Sequence, residues 1–296
     1  MVLAAHARAL LGDMMKSEYV AGGGGTRLHV LETGNPNGQP ILFIHGFSQC
    51  ALSWGRQLNS DLADDHRLVA MDLRGHGLSD KPRDAYADSR LWADDVNAVV
   101  QSLGLEQPIL AGWSYGPLVI LDYIRHYGEG AIGGVQFVGG ISKLGSEAAL
   151  SVLTPEFLAI VPGLLSPDAE ESTRALEALL DLAISSDLTP QERYLMMGWN
   201  VSVPPYVRQA LFARAFDNDD LLPTIRKPVL ITHSSSETIV RPAAVDEHLA
   251  AMPDAQVHWT RDAGHAPFFD EADAFNRRLR QFAAHVRTSA AVEAAL

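Results

Sequence analysis

A single cysteine, Cys50, stands in the 296 residues, so no internal disulfide can form and nothing points to an oxidising compartment. It reads as a small buried residue rather than as a nucleophile. No apolar run approaches the roughly 18 residues that crossing a membrane requires. Basic residues are scarce as well: 23 Lys and Arg face 36 Asp and Glu, a net charge of −13. Nucleic acids and anionic membranes are held by clustered Lys and Arg, so this balance argues against both as partners. The first fifteen residues, MVLAAHARALLGDMM, lack a basic leader, and His6, Arg8 and Asp13 interrupt their apolar stretch. They do not read as a signal peptide, and a cytoplasmic location is the expectation. Leu3, Leu10, Leu11, Met14 and Met15 fall at helical spacing. That pattern suits a short helix lying on the body of the protein or making a homo-oligomer contact.

What the chain does have is alternation. After Gly22–Gly25, read as a flexible run, TRLHVLETG alternates apolar and polar like a half-exposed strand. ILFIHGF (41–47) and RLVAMDL (67–73) are continuous apolar runs, as strands buried on both faces would be. PILAGWS (108–114), VQFVGGI (135–141), KPVLITHS (227–234) and AQVHWTR (255–261) read as further strands. Between them, a helix marked by Leu52, Leu58 and Leu62, the segment 88–103, PLVILDYIRHYG, and segments 242–251 and 270–286 read as helices. Strands alternating with helices imply an α/β protein with a mostly parallel sheet covered by helices on both faces. From Ser142 to Pro223 the strand signal stops. Helical stretches such as ESTRALEALLDLAI and PPYVRQALFARAF take over, punctuated by prolines. Ligands of open α/β sheets bind beyond the carboxyl ends of the strands, where an inserted helical block becomes a lid. The expected organisation is a core at 19–141 and 224–286, a helical cap at 142–223 and an N-terminal extension at 1–18. The last residues, RTSAAVEAAL, read as a frayed tail.

Gly112-x-Ser114-x-Gly116 follows one of these strands and opens a helix. The pattern has the form of a nucleophile elbow, a turn so tight that only small residues fit two places either side of the serine. Taken alone it is weak, since about one chain in eight of this length would carry it by chance. Its company is more telling. His45-Gly46-Phe47, Ser114, Glu237 and His265 each follow an expected strand, in the order serine, acid, histidine. "FIHGF", "DLRGHGLSDKP", "GWSYG" and "DAGHAPFFDE" occur in sequence. In these motifs the chain resembles the α/β-hydrolase superfamily over nearly all of its length beyond residue 19. Within it, the chain is most similar to serine esterases of the group that includes non-haem chloroperoxidases. The resemblance implies the α/β-hydrolase fold with an inserted helical lid, and a small-molecule carboxylic ester as substrate. It implies Ser114 as nucleophile, His265 as base and the backbone N–H groups of Phe47 and Tyr115 as the oxyanion hole. No cofactor and no metal are expected, since the histidines lack metal-ligand spacing. His45 reads as support for the oxyanion loop, and Asp72 with Arg74–Gly77 as fixing the loop after their strand. Trp113, Trp199 and Phe212 are candidates for lining the substrate pocket.

Two departures from the family pattern stand out. Pro117 occupies a place where relatives usually carry glycine, though a proline in the first turn of a helix loses no hydrogen bond. After the strand ending near His233, relatives usually show Gly-x-x-Asp, whereas this chain has Ser234-Ser-Ser-Glu237. Glu237 is the first candidate for the acid, with Glu147 and Asp262 as the others. Asp262 stands only three residues before His265, too close to orient the ring from behind. The same machinery serves acyl transfer, perhydrolysis and lactone opening. Epoxide hydrolysis is disfavoured because it needs an aspartate in the elbow. A binding protein built on the fold would show a damaged triad, and Glu237 is the one hint of that.

Overall fold

The computed structural model describes residues 15–293. The helix expected over residues 3–15 lies, but for Met15, outside them. One eight-stranded sheet has the order β1-β2-β4-β3-β5-β6-β7-β8. Its strands are β1 (Lys16–Ala21), β2 (Arg27–Gly34), β3 (Gln39–Ile44), β4 (His66–Met71), β5 (Ile109–Trp113), β6 (Gly134–Val138), β7 (Val229–Ser234) and β8 (Gln256–Thr260). The pairs β1–β2 and β2–β4 are antiparallel, and every other neighbouring pair is parallel. The longer helices are α1 (Ser89–Ser102), α2 (Gly116–Tyr127), α3 (Pro155–Leu165), α4 (Ala169–Ala183), α5 (Pro190–Val201), α6 (Pro205–Phe212), α7 (Ala243–Ala251) and α8 (Ala272–Glu293).

Two cores explain the apolar runs. Successive side chains of a strand point to opposite faces. Leu42 and Ile44 therefore join Val96 and Val99 of α1 and Leu118 and Leu121 of α2 in one cluster. Ile41 and Phe43 join Trp54, Phe275, Leu279 and Phe282 in the other, under α8. Both faces are dry, so the strand cannot alternate.

Four local expectations are corrected. The first strand, β1, starts at Lys16, inside the stretch expected to be an extension. Only Val20 of it is buried, so an exposed edge strand left no apolar signal. Gly22–Gly25 is not a flexible run but the tight turn joining β1 to β2. Gly24 and Gly25 take φ values of 63° and 78°, and Gly23 N–H donates to the buried Asp95 carboxylate at 2.8 Å. Leu52, Leu58 and Leu62 do not share one helix; they fall in short turns at Ala51–Trp54, Gly55–Leu58 and Leu62–Asp65. The tail does not fray at Arg287, because α8 continues to Glu293.

Helices α3 to α6 lie between β6 and β7, where the strand signal stopped. Three begin with proline at the first turn, where a missing N–H costs nothing. Thr154 caps α3, Asp168 caps α4, and Thr189 with Glu192 forms a reciprocal capping box on α5. An isolated bridge between Leu144 and Phe216 ties the two ends of this block together.

Candidate active site

Chain direction in the parallel part of the sheet brings the carboxyl ends of β3, β5, β6, β7 and β8 to one edge. Ser114 stands directly after β5, in the positive-φ conformation (58°) of a sharp strand-to-helix turn. Its N–H donates to Val138 O at 2.9 Å, which fixes it to the end of β6. The glycines either side are steric necessities. A Cβ at Gly112 would lie 2.7 Å from Gly116 C and Pro117 N, and one at Gly116 would lie 2.6 Å from Ile44 O.

His265, after β8, meets Glu237, after β7: its Nδ1 lies 3.0 Å from both carboxylate oxygens. The two side chains are 3% and 0% exposed. Glu237 Oε1 also accepts from the backbone N–H groups of Thr238, Ile239 and Val240, at 2.9, 2.8 and 3.3 Å. Burial by itself would raise this carboxyl's pKa, but the His265 ring and these donors together hold it below its ordinary value. Glu147 and Asp262, the other candidates, are exposed to solvent. With Nδ1 given to the carboxylate, Nε2 is the ring atom left for a proton acceptor.

Ser114 and His265 line one cavity of about 30 Å³. Among the described residues Ser114 Oγ has no hydrogen-bond partner, and serine–histidine contacts are often long before substrate binds. Phe47 and Tyr115 flank the same place. Neither N–H donates to any group among the described residues, and Tyr115 caps α2, whose N-terminal dipole favours negative charge there. His45 stands behind this loop, fully buried. Its Nε2 accepts from Leu73 N–H at 3.0 Å, so Nδ1 carries the proton and donates to Gly46 O at 2.8 Å. Burial pushes its pKa down to about 4, so the ring is neutral. Asp72 likewise fixes loops, accepting from Ala51 N–H, Leu78 N–H and His29 Nδ1 at 2.7, 2.9 and 2.8 Å.

Of the aromatic candidates, Trp113 lines the cavity, and its Nε1–H donates to His265 O at 2.8 Å, pinning the histidine's backbone. Trp199 and Phe212 do not line it and stand one layer behind. Trp199 Nε1–H donates to Gln49 Oε1 at 2.9 Å, and the Phe212 ring packs edge-on against Phe47 at 4.9 Å. The wall itself is made by Phe157, Leu179 and Ala183 of the helical block, with Ile239 and Gln49. These positions escaped the sequence because an inward-facing Leu on an amphipathic helix reads as packing whichever surface it meets. Among the described residues no group of three or more His, Cys, Asp or Glu side chains is placed to hold a metal ion. None of the helices described is long and apolar enough to cross a membrane.

Comparison with known proteins adds an independent line. The sequence profile of an alpha/beta hydrolase family matches residues 41–278. An esterase of Rhodococcus sp. ECU1013, RhEst1, superposes with a TM-score of 0.86 at 36% identity, covering 91% of this chain and 99% of its own. A putative aryl esterase from Burkholderia cenocepacia superposes with a TM-score of 0.86 at 29% identity, covering 92% of this chain and 100% of its own. A putative non-heme chloroperoxidase of Synechocystis sp. is 25% identical over 83% of this chain and 91% of its own length.

Proposed function

This chain belongs to the α/β-hydrolase family, and from that premise we propose that it is a carboxylic ester hydrolase working through an acyl-serine intermediate. The observation that carries the reading is the buried Glu237–His265 pair, 3.0 Å apart, whose histidine lines one cavity with a strained, glycine-flanked serine. Ser114 Oγ attacks the ester carbonyl carbon while His265 Nε2 takes the hydroxyl proton. Glu237 accepts the Nδ1–H bond, fixes the tautomer and stabilises the imidazolium. The carbonyl oxygen, now negative, sits between the free N–H groups of Phe47 and Tyr115. As the tetrahedral adduct collapses, His265 returns the proton to the departing alcohol. Water then attacks the acyl-serine by the same route and releases the acid.

The helical block acts as a lid that bounds the acyl or alcohol pocket. Its contribution to the wall is apolar, from Phe157, Leu179 and Ala183, which suits a neutral substrate. The esterase neighbours at 36% and 29% identity support ester hydrolysis. The chloroperoxidase relative supports a second acceptor, hydrogen peroxide in place of water, attacking the same acyl-serine.

A panel of p-nitrophenyl esters of graded acyl length, with lactones included, tests the reading. The purified protein should hydrolyse members of this panel. Ser114→Ala should lower turnover by several powers of ten, leaving what binding and the oxyanion hole supply, with an unchanged far-UV spectrum. Undiminished hydrolysis by Ser114→Ala removes the assignment.

A further inference from the structure

The turn that aims the Phe47 N–H is strained, and it is held from outside the core. Gln49 N–H donates to Gly46 O at 3.3 Å, which closes a four-residue turn with Phe47 and Ser48 at its centre. Ser48 takes a φ of 60°, a conformation that turns of this kind reserve for glycine. A non-glycine residue keeps such a conformation only where its surroundings over-determine it. Ser48 is fully buried, and its Oγ reaches Asn200 O at 3.4 Å. Beside it, Gln49 Nε2 donates to Asn200 Oδ1 at 3.2 Å, while Gln49 Oε1 accepts from Trp199 Nε1–H at 2.9 Å. Asn200 is itself 1% exposed and anchored within α5, donating from Nδ2 to Met196 O at 2.8 Å. One buried residue of the helical block thus holds both residues that follow Phe47, Ser48 through its backbone carbonyl and Gln49 through its side-chain amide, and only the second hold is lost in an Asn200→Ala variant.

We propose that Asn200 is a positioning residue for the oxyanion hole: through Ser48 and Gln49 it makes the aim of the Phe47 N–H depend on how α5 is seated. The helical block then does more than bound the pocket, because displacing α5 would relax the turn and disarm one oxyanion donor. This inference rests on the reading of Ser114 as a nucleophile.

The test is the second-order rate at which a fluorophosphonate probe labels Ser114 in the full chain, a reaction that needs the oxyanion hole but no knowledge of the natural substrate. Asn200→Ala should slow labelling at least about tenfold, since removing an oxyanion donor outright costs more than that. With the p-nitrophenyl esters above, the loss should fall on kcat, with KM within about threefold, as expected when only transition-state contacts suffer. Ser48→Gly relieves the strain. In that background Asn200→Ala should cost less than about threefold, because glycine takes a positive φ freely. Equal losses in the two backgrounds overturn the proposal. So does an Asn200→Ala protein that melts at lower temperature but labels at the wild-type rate, the signature of a purely structural role. If Asn200→Ala does not fold, Trp199→Phe, which removes the indole N–H that Gln49 Oε1 accepts together with part of the ring, should slow labelling in the same direction, and an unchanged rate overturns the idea. A wild-type chain that is not labelled at Ser114 refutes the hydrolase reading and this inference together. A labelled wild type with an equally fast Asn200→Ala refutes this inference alone.

Discussion

Glu237 meets His265 with a side chain one methylene longer than an aspartate, and the extra length is taken up locally. The carboxylate turns back over its own chain and accepts three successive N–H groups, from Thr238 to Val240, while still meeting the imidazole with both oxygens. A buried acceptor with this many donors stays ionised. Glu237→Gln keeps the shape but presents an N–H2 where an acceptor is needed. Turnover of the best ester in the panel should fall by up to about four powers of ten, as for a misplaced tautomer. Glu237→Asp keeps the charge and should lose less. Glu147→Gln and Asp262→Asn, both at exposed positions, should leave turnover within about twofold, the usual outcome of a surface change. A large loss in either would move the acid elsewhere. That Ser114 and His265 would stand at strand ends facing one cavity was legible in the sequence, because each sits in a short local motif. Glu237 was one of three candidates because the ring it meets lies 28 residues further on, a separation that only the sheet resolves. Gln49 and Asn200 were not legible at all: an amide in a loop and an amide in a helix carry no pattern until the fold joins them.

At the scale of elements, the departure at Pro117 turns out to have a counterpart. The ring stands at the first turn of α2, and a Cβ at Gly140, just past β6, would come within 2.6 Å of Pro117 Cγ. The proline and the second glycine of the Gly139-Gly140 pair therefore form a matched set. Gly140→Ala should destabilise the protein by about 1–3 kcal/mol, the range for overpacking, and Pro117→Ala should restore part of that in the double variant. Denaturant midpoints of the two singles and the double measure it, and strictly additive effects would show that the two do not meet. The helical block gives a second expectation. Leu179 lines the cavity whereas Trp199 stands behind it. Leu179→Ala should shift the best substrate toward longer acyl chains, while destabilising by about 2–5 kcal/mol. An unchanged chain-length profile across Leu179 and Phe157 variants would mean that the block does not set substrate size. The core strands were readable because strands buried on both faces leave continuous apolar runs. The edge strand β1 was not, because all of its side chains but that of Val20 stay in water. The glycine turn after it was misread because its order comes from Asp95, 72 residues away.

For the whole molecule, buried neutral histidines set the response to acid. Burial lowers the pKa of His45 to about 4, of His76 to about 3 and of His248 to about 4, whereas an unfolded histidine titrates near 6.5. Between about pH 6.5 and pH 4 the unfolded chain therefore binds protons that the folded chain refuses, and stability falls as pH falls. Asp122 works the other way. Burial raises its pKa to about 6 against the opposing pull of the paired Arg214, so between about pH 4 and 6 the folded state binds one proton the unfolded state does not. The histidines outnumber it, and denaturant unfolding should show stability declining from pH 7 to pH 5. His248→Phe should flatten that slope by up to about 1.4 kcal/mol per pH unit, one proton's worth. An identical slope would mean that His248 is not held neutral. An acyl-serine intermediate is the chemistry that the fold, the helical block and these residues together support. Acid quenching during steady turnover of a p-nitrophenyl ester, followed by peptide mass mapping, tests it most directly. The acyl group should be found on the peptide carrying Ser114, and should be absent in Ser114→Ala. Rapid turnover with the acyl group on another residue, or undiminished turnover in Ser114→Ala, would contradict it.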